Sequence, residues 1–297
     1  MAAEKMDLVA DALNRWSRRW WPSVRLGWDP LRHIRVADRY LPVSIRNWKL
    51  TPWMASRVLA RRVARPLAFL ADQKLTVLIP YRDRAAHLAR LLPTLTGELR
   101  RQELEFRIVV VEQSSSALFN RGKLLNIGAH YAAPFSDYYC LHDVDAIPIV
   151  SNYGCPSQPL RLVSKLITPS GEAQRTDYYF SGAVSIRKEQ FFAANGYSNE
   201  YFGWGKEDDD LFFRLLLSGF LCYYDAQGKF WDLPNPSGQQ VERSIAFIPP
   251  HLRRNRRLRS LLVRGLTDPQ RDGLSTLKYE VVTRHVYPEY EHITVAW

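Results

Sequence analysis

Gly203-Trp204-Gly205-Lys206-Glu207-Asp208-Asp209-Asp210 is the stretch of this sequence richest in side chains able to do chemistry. Four carboxylates in a row follow a Gly-Trp-Gly turn. Leu211, Phe212, Leu215 and Leu216 then recur at helical spacing, and Gly219 is placed to end the helix. The carboxylates are therefore predicted in or before the first helical turn, where the helix dipole favours anions. An acidic N-cap cluster is the plainer alternative, but one cap does not need four carboxylates. The glycines allow close backbone approach, and Trp204 offers a flat stacking surface. Mutual repulsion is expected to raise at least one carboxylate pKa, which suits a general base.

The elements that must position this site begin at Leu75. Leu75-Thr76-Val77-Leu78-Ile79 is a short continuous apolar run of buried-strand type, and it passes through Pro80-Tyr81-Arg82-Asp83-Arg84 into a helical pattern with Leu88, Leu91 and Leu92. A second strand is predicted at Phe106–Val111, a helix at Asn120–Tyr131 and a third strand at Tyr138–Leu141. Strands alternating with helices predict βαβ units and a mainly parallel sheet, whose ligands bind at the carboxyl ends of the strands. Arg82 and Arg84 stand at the first such end, and His142-Asp143-Val144-Asp145 at the third. Carboxylates spaced i, i+2 past a strand can hold a divalent cation, and the cation a diphosphate. Asp-x-Asp alone is a weak signal, but arginines at a neighbouring strand end strengthen it. The arrangement is that expected of an enzyme using nucleotide-sugar donors.

Composition sets outer bounds. The chain has 297 residues, 46% hydrophobic and 24% charged, as in a globular protein large enough to bury a core. No apolar run of about 18 residues predicts a transmembrane helix, and Glu4, Asp7 and Asp11 interrupt any signal-peptide core. Three scattered cysteines, Cys140, Cys155 and Cys222, argue against a disulfide framework and for a reducing compartment. The net charge is +11, and residues 1–73 supply most of it, with 14 Lys/Arg against 6 Asp/Glu. Six of the nine tryptophans lie there too. Helices are expected at Met6–Trp20 and Trp53–Leu70. Basic faces with interfacial tryptophans suit an anionic membrane surface, and the alternative is an extension packed on the catalytic domain.

The motifs run in series. They are Ile79 through Arg84, Phe119-Asn120-Arg121-Gly122-Lys123-Leu124-Leu125-Asn126-Ile127-Gly128, and His142 through Asp145 with Pro148. Tyr179-Phe180-Ser181-Gly182-Ala183-Val184-Ser185, Gly203 through Asp210, and Asp272-Gly273-Leu274-Ser275-Thr276-Leu277-Lys278-Tyr279 follow. Their order and rough spacing resemble the beta-1,4-galactosyltransferase family over about residues 75–297. The resemblance implies a GT-A glycosyltransferase fold: α/β, Rossmann-like, with a mainly parallel mixed sheet and flanking helices. It divides the chain into a basic, Trp-rich extension, 1–73, and a catalytic domain, 74–297. It further implies a UDP-sugar donor, manganese, a glycan acceptor and inversion at the anomeric carbon.

Carried over position by position, the resemblance gives donor contacts at Pro80, Tyr81, Arg82, Arg84, Phe119, Arg121, Asp143, Val144, Gly182 and Trp204. It gives acceptor-side contacts at Tyr179, Glu207, Asp208 and Asp209, with Asp208 as the catalytic base. Tyrosine at position 179 goes with galactose over N-acetylgalactosamine. Asp145 matches the metal-binding aspartate. Where the family has a metal-binding histidine this chain has Asp232, and the family's further Met or His ligand has no evident counterpart beyond His251, which reads more readily as an exposed histidine in a basic loop. An all-carboxylate site should accept Mg²⁺ beside Mn²⁺, and its affinity should not fall steeply near pH 6.5. The loop after Asp232 also departs, carrying Arg253, Arg254, Arg256, Arg257 and Arg259, which reads either as a solvated or lipid-facing basic face or as a contact to an anionic acceptor or the diphosphate. A bacterial-type enzyme is expected, cytoplasmic and peripheral at the inner membrane face, building a surface glycan. The rival readings are a polysaccharide-synthase or N-acetylgalactosaminyltransferase-type GT-A enzyme, a catalytically dead UDP-binding scaffold, and a basic nucleic-acid-binding protein. Basic clusters flanking an acidic motif disfavour the last.

Overall fold

In the computed structural model, which describes residues 39–42, 67–168, 171, 173–175, 180–234 and 248–297, the principal sheet has nine strands. They are β1 (Tyr40–Pro42), β2 (Leu75–Tyr81), β3 (Phe106–Gln113), β4 (Tyr138–His142), β5 (Leu160–Arg161), β6 (Ala183–Arg187), β7 (Tyr223–Asp225), β8 (Glu280–Val286) and β9 (Glu291–Ala296). Their spatial order is β1-β7-β5-β6-β4-β2-β3-β9-β8. The centre is parallel, with β2 between β4 and β3 and β9 parallel to β3. Antiparallel pairs β4–β6 and β9–β8 extend it on either side. This is the mixed sheet of a GT-A fold, parallel at its centre.

Among the described residues five helices flank the sheet: α1 (Ala85–Arg101), α2 (Arg121–Ala132), α3 (Lys188–Ala193), α4 (Glu207–Leu217) and α5 (Pro250–Val263). Alternation along β2 explains the two layers. Leu75, Val77 and Ile79 face a core shared with Leu88, Leu91, Leu95 and Leu99 of α1. Leu78 faces the other core, with Leu124 and Ile127 of α2 and the apolar side of α4. Leu91, Leu95 and Leu99 are fully buried, each contributing roughly 1.5–3 kcal/mol of transfer free energy. Both sides being covered, β2 reads as an uninterrupted apolar run.

A second sheet joins Ala173–Arg175, Lys165–Ile167, Lys229–Asp232 and Ala146–Val150 in that order. Its last pair is antiparallel with Asp232 opposite Ala146, so the end of one strand lies beside the residue that follows Asp145. Within residues 1–73, β1 is hydrogen-bonded to β7 of the principal sheet, and Phe69–Leu70 pairs with Cys155–Pro156. The helix expected at Trp53–Leu70 therefore does not reach its last residues, where the chain is extended. The helix expected at Met6–Trp20 lies outside the described residues. Cys140, Cys155 and Cys222 are free and buried. Among the described residues no helix is long and apolar enough to cross a membrane.

Candidate active site

The carboxyl ends of β2, β3 and β4 open on one side of the sheet, and each delivers a different part of the site. β2 ends at buried Tyr81, whose ring packs edge-on against His292, with centroids 5.5 Å apart. Pro80 precedes it within the buried strand. Arg82 then reaches across to the next loop, donating to the carbonyl of Ala117 at 2.6 Å and lying over the Phe119 ring at 5.4 Å. Gln113, the last residue of β3, shapes that loop. Its side-chain nitrogen donates to loop carbonyls, and its oxygen accepts from the Asn120 amide at 2.9 Å. Asn120 caps α2 by accepting from the Lys123 amide, so Arg121 stands at the first turn of the helix.

Arg121 is the hub. Its Nε donates to Asp143 Oδ1 at 2.6 Å, and its Nη1 donates to Asp208 Oδ1 at 2.7 Å. One guanidinium thus ties the Asp143-Val144-Asp145 turn after β4 to the acidic first turn of α4. Its side chain is only 12% exposed. Tyr197 completes the cluster, with its hydroxyl 3.2 Å from Arg121 Nη1 and 3.3 Å from Asp208 Oδ1. Two buried polar atoms here, Arg121 Nη2 and Glu207 Oε2, have no hydrogen-bond partner among the described residues. A donor and an acceptor left open in a polar site are set for the hydroxyl and phosphate oxygens of a ligand.

Glu207, Asp208 and Asp210, expected to repel their neighbours, are perturbed mainly by burial. Burial is the largest cause holding Asp208 well above the ordinary carboxylate range. The Arg121 charge pulls it back, and Glu207, Asp143 and Asp209 push it further up. Glu207 is raised in the same way. Asp209 pairs with Lys206 at 3.0 Å and lies 3.6 Å from Arg259. Asp210 is structural, being buried against Arg214 and accepting from the Tyr201 hydroxyl at 2.9 Å.

Local backbone makes this turn. Gly203 (φ +71°), Gly205 (φ +101°) and Lys206 (φ +82°) lie in the left-handed region, which folds Trp204 outward to 44% exposure. A side chain at Gly203 would meet the His251 ring at 2.6 Å, so the glycine also admits α5. Gly182, likewise left-handed at φ +87°, accepts from the Asp143 amide at 2.8 Å and anchors the Asp143 turn to the strand beside it. Val144 is buried there.

Asp145 and Asp232 come together through the second sheet, the Leu233 amide donating to the Asp145 carbonyl at 2.9 Å. Burial first, then the charges of Asp143 and Asp232, push the Asp145 carboxyl up to about 7, and Arg84 pulls it back. Two neighbouring carboxylates at a crevice mouth fit a hard divalent cation that draws its other oxygens from substrate and water. Among the described residues no group of three metal-ligating side chains is gathered. A cation bound here would have to displace a proton from so raised a carboxyl, which runs against the expectation that affinity stays level near pH 6.5.

Tyr179 lies outside the described residues. Tyr197, Gln113, Asn255 and the left-handed Lys206 were not foreseen. The turn-rich Asn195-Gly196-Tyr197-Ser198-Asn199 was the available signal for the first. The Asp272–Tyr279 motif proves architectural: Asp272 takes the Asn199 amide at 3.1 Å and its carbonyl takes Arg214 at 2.6 Å.

Comparison with known proteins places this geometry. Residues 47–156 match the N-terminal region of glycosyl transferase group 7, and residues 162–225 match the N-terminal domain of galactosyltransferase. Mouse beta-1,4-galactosyltransferase 1 is 35% identical over 247 residues, covering 77% of this chain and 56% of the relative. Beta-1,4-galactosyltransferase 4 of Cricetulus griseus is 35% identical over 229 residues, covering 76% and 64%. The chain therefore spans little more than half the length of the first of these curated relatives. The catalytic domain of Drosophila beta-1,4-galactosyltransferase 7, solved with xylobiose, superposes with a TM-score of 0.62 at 27% identity, over 75% of this chain and 93% of that one. A mutant of the same enzyme, solved with manganese, UDP-Gal and xylobiose, superposes equally well at 26% identity. Motif order, fold and these matches agree, and the chain belongs to the beta-1,4-galactosyltransferase family of group 7 glycosyltransferases.

Proposed function

We propose that this protein transfers galactose from a UDP-sugar to a glycan hydroxyl, with inversion at the anomeric carbon. The observation that carries the reading is Arg121, which binds Asp143 and Asp208 at once and so joins the strand-end carboxylates to the acidic helix in one site. The complex of the Drosophila relative with manganese, UDP-Gal and xylobiose supports it.

In this reading Asp208 is the general base. The acceptor oxygen attacks the anomeric carbon, its proton passes to Asp208, and the bond to the diphosphate breaks with its electron pair leaving on the phosphate oxygen. Burial raises the basicity of Asp208, while the Arg121 charge opposes that rise. Glu207, with one oxygen open, and Trp204, with its exposed face, orient the sugars. Arg82, Phe119 and Tyr81 line the nucleotide side. Asp145 and Asp232 would hold Mn²⁺ or Mg²⁺, which when bound would neutralise charge on the departing diphosphate. The cytoplasmic face of an anionic membrane is the proposed location, with residues 1–73 as the contact.

A donor screen on purified protein with Mn²⁺ or Mg²⁺, read by UDP release, tests the reading. UDP-galactose should turn over fastest. Absence of release from every UDP-sugar would sink it, and preference for another sugar would remove galactose alone.

A further inference from the structure

Six arginines and no acidic residue lie between Ile248 and Leu266, and the function above uses none of them. They are carried by α5 and the turn after it, and α5 packs directly on the acidic motif. His251 abuts Gly203. Asn255, fully buried, donates to the carbonyls of Phe202 at 3.1 Å and Gly205 at 2.9 Å, and so grips both ends of the turn that presents Trp204. Arg259 leans towards Asp209, and Arg254 pairs with Glu200. The inner side of α5 thus belongs to the active-site wall.

Its outer side does not. Arg253, Arg256, Arg257 and Arg264 are exposed and fall at i, i+3, i+4 and i+11, along one face of the helix. Nearby carboxylates are already engaged: Asp208 and Asp143 by Arg121, Asp209 by Lys206, Asp210 by Arg214 and Glu200 by Arg254. Among the described residues no carboxylate ion-pairs with Arg256 or Arg257. The helix that grips the Trp204 turn therefore carries surplus positive charge on its outer face.

From this juxtaposition we infer that the acceptor is anionic: a glycan carrying phosphate or carboxylate groups near the acceptor sugar, bound by the outer arginine face of α5. The inference rests on the transferase reading and specifies its acceptor class. Guanidinium groups match phosphate and carboxylate oxygens through paired N–H donors. A lipid surface is the weaker occupant, because a helix lying in a membrane presents its apolar residues outward. Here Leu252, Leu262 and Val263 are buried in the protein and the outer face is charged.

The test uses the full chain with UDP and Mn²⁺, and three probes: xylobiose, xylobiose bearing one phosphate monoester, and xylobiose bearing one glucuronate. Binding is followed by calorimetry and turnover by UDP release from UDP-galactose. The wild type should bind the acidic disaccharides about tenfold more tightly than xylobiose, and the preference should shrink in high salt. Combined Arg256→Gln and Arg257→Gln substitutions should abolish about that tenfold preference, leaving xylobiose binding and the KM for donor unchanged. Phosphate alone or glucuronate alone being preferred would support the inference and name the group. Equal binding of all probes, binding of none, or an equal loss for neutral and acidic probes in the variant would overturn it. So would a variant that keeps the preference but loses binding to vesicles of phosphatidylcholine and phosphatidylglycerol. Failure of the transferase reading appears separately, as absent UDP release while the binding preference persists.

Discussion

Replacing Arg121 with Met should move the pH dependence of both turnover and stability, because this one side chain balances two carboxylates. Asp143 and Asp208 are 26% and 22% exposed, so neither is well hydrated once the guanidinium is gone. Removing one partner of a fully buried pair costs about 3–5 kcal/mol, and partial exposure lowers this to about 2–3 kcal/mol. For a domain of this size that is roughly 4–12 °C in Tm at neutral pH. The sign follows from Asp208, whose folded pKa already lies above its unfolded value near 4. Ionising such a group destabilises the fold as pH rises, and Arg121 limits that loss. Without it the folded pKa rises further. The Tm deficit should therefore shrink as pH falls through the raised folded pKa of Asp208 and be absent once Asp208 is protonated in the folded wild type. The acid limb of the kcat profile should shift to higher pH as the base is lost sooner. Arg121→Lys keeps a charge but cannot bridge both carboxylates, and should fall between. Thermal melts from pH 3.5 to 8 and UDP-release profiles read these effects. A Tm deficit independent of pH, with an unmoved acid limb, would refute the reasoning.

Asp208→Asn should keep UDP binding while turnover falls roughly 10²–10⁴-fold, and near wild-type turnover would remove Asp208 from the mechanism. Asp232→Ala should raise the Mn²⁺ concentration needed for half-maximal activity without weakening metal-free UDP binding. An unchanged metal titration would remove Asp232 as a ligand. In the wild type the metal requirement should rise about tenfold per pH unit below about 7, where Asp145 takes up a proton that the cation must displace; a requirement level from pH 7 to 6 contradicts this. Deleting residues 1–38, which carry four of the six N-terminal tryptophans, should weaken co-sedimentation with phosphatidylglycerol vesicles at low salt, at about 1 kcal/mol per lipid-adjacent basic residue, whereas equal pelleting with and without them contradicts a membrane role.

Legibility followed the range of the interaction. The strand at Leu75, the helix after Asn120 and the helix opening at Glu207 were readable because burial on both sides of a sheet, a cap and an amphipathic repeat are written within a few residues. Glu207 through Asp210 and Asp143 through Asp145 could be singled out by charge alone. Their roles could not. Asp210 and Asp208 are two residues apart in one acidic run, yet one is locked against Arg214 and the other faces Arg121 and Tyr197. Asp145 and Asp232 are far apart in sequence and meet only because two strands pair in a small second sheet.

The sequence by itself determined which elements form and which chemical groups are available, since propensity, periodicity and capping act over one or two turns of chain. The tertiary structure alone decided which of those groups share a site and how strongly each holds its proton. Burial and charge pairing depend on what the fold brings within a few ångströms, and water is excluded only once the chain has closed around Arg121.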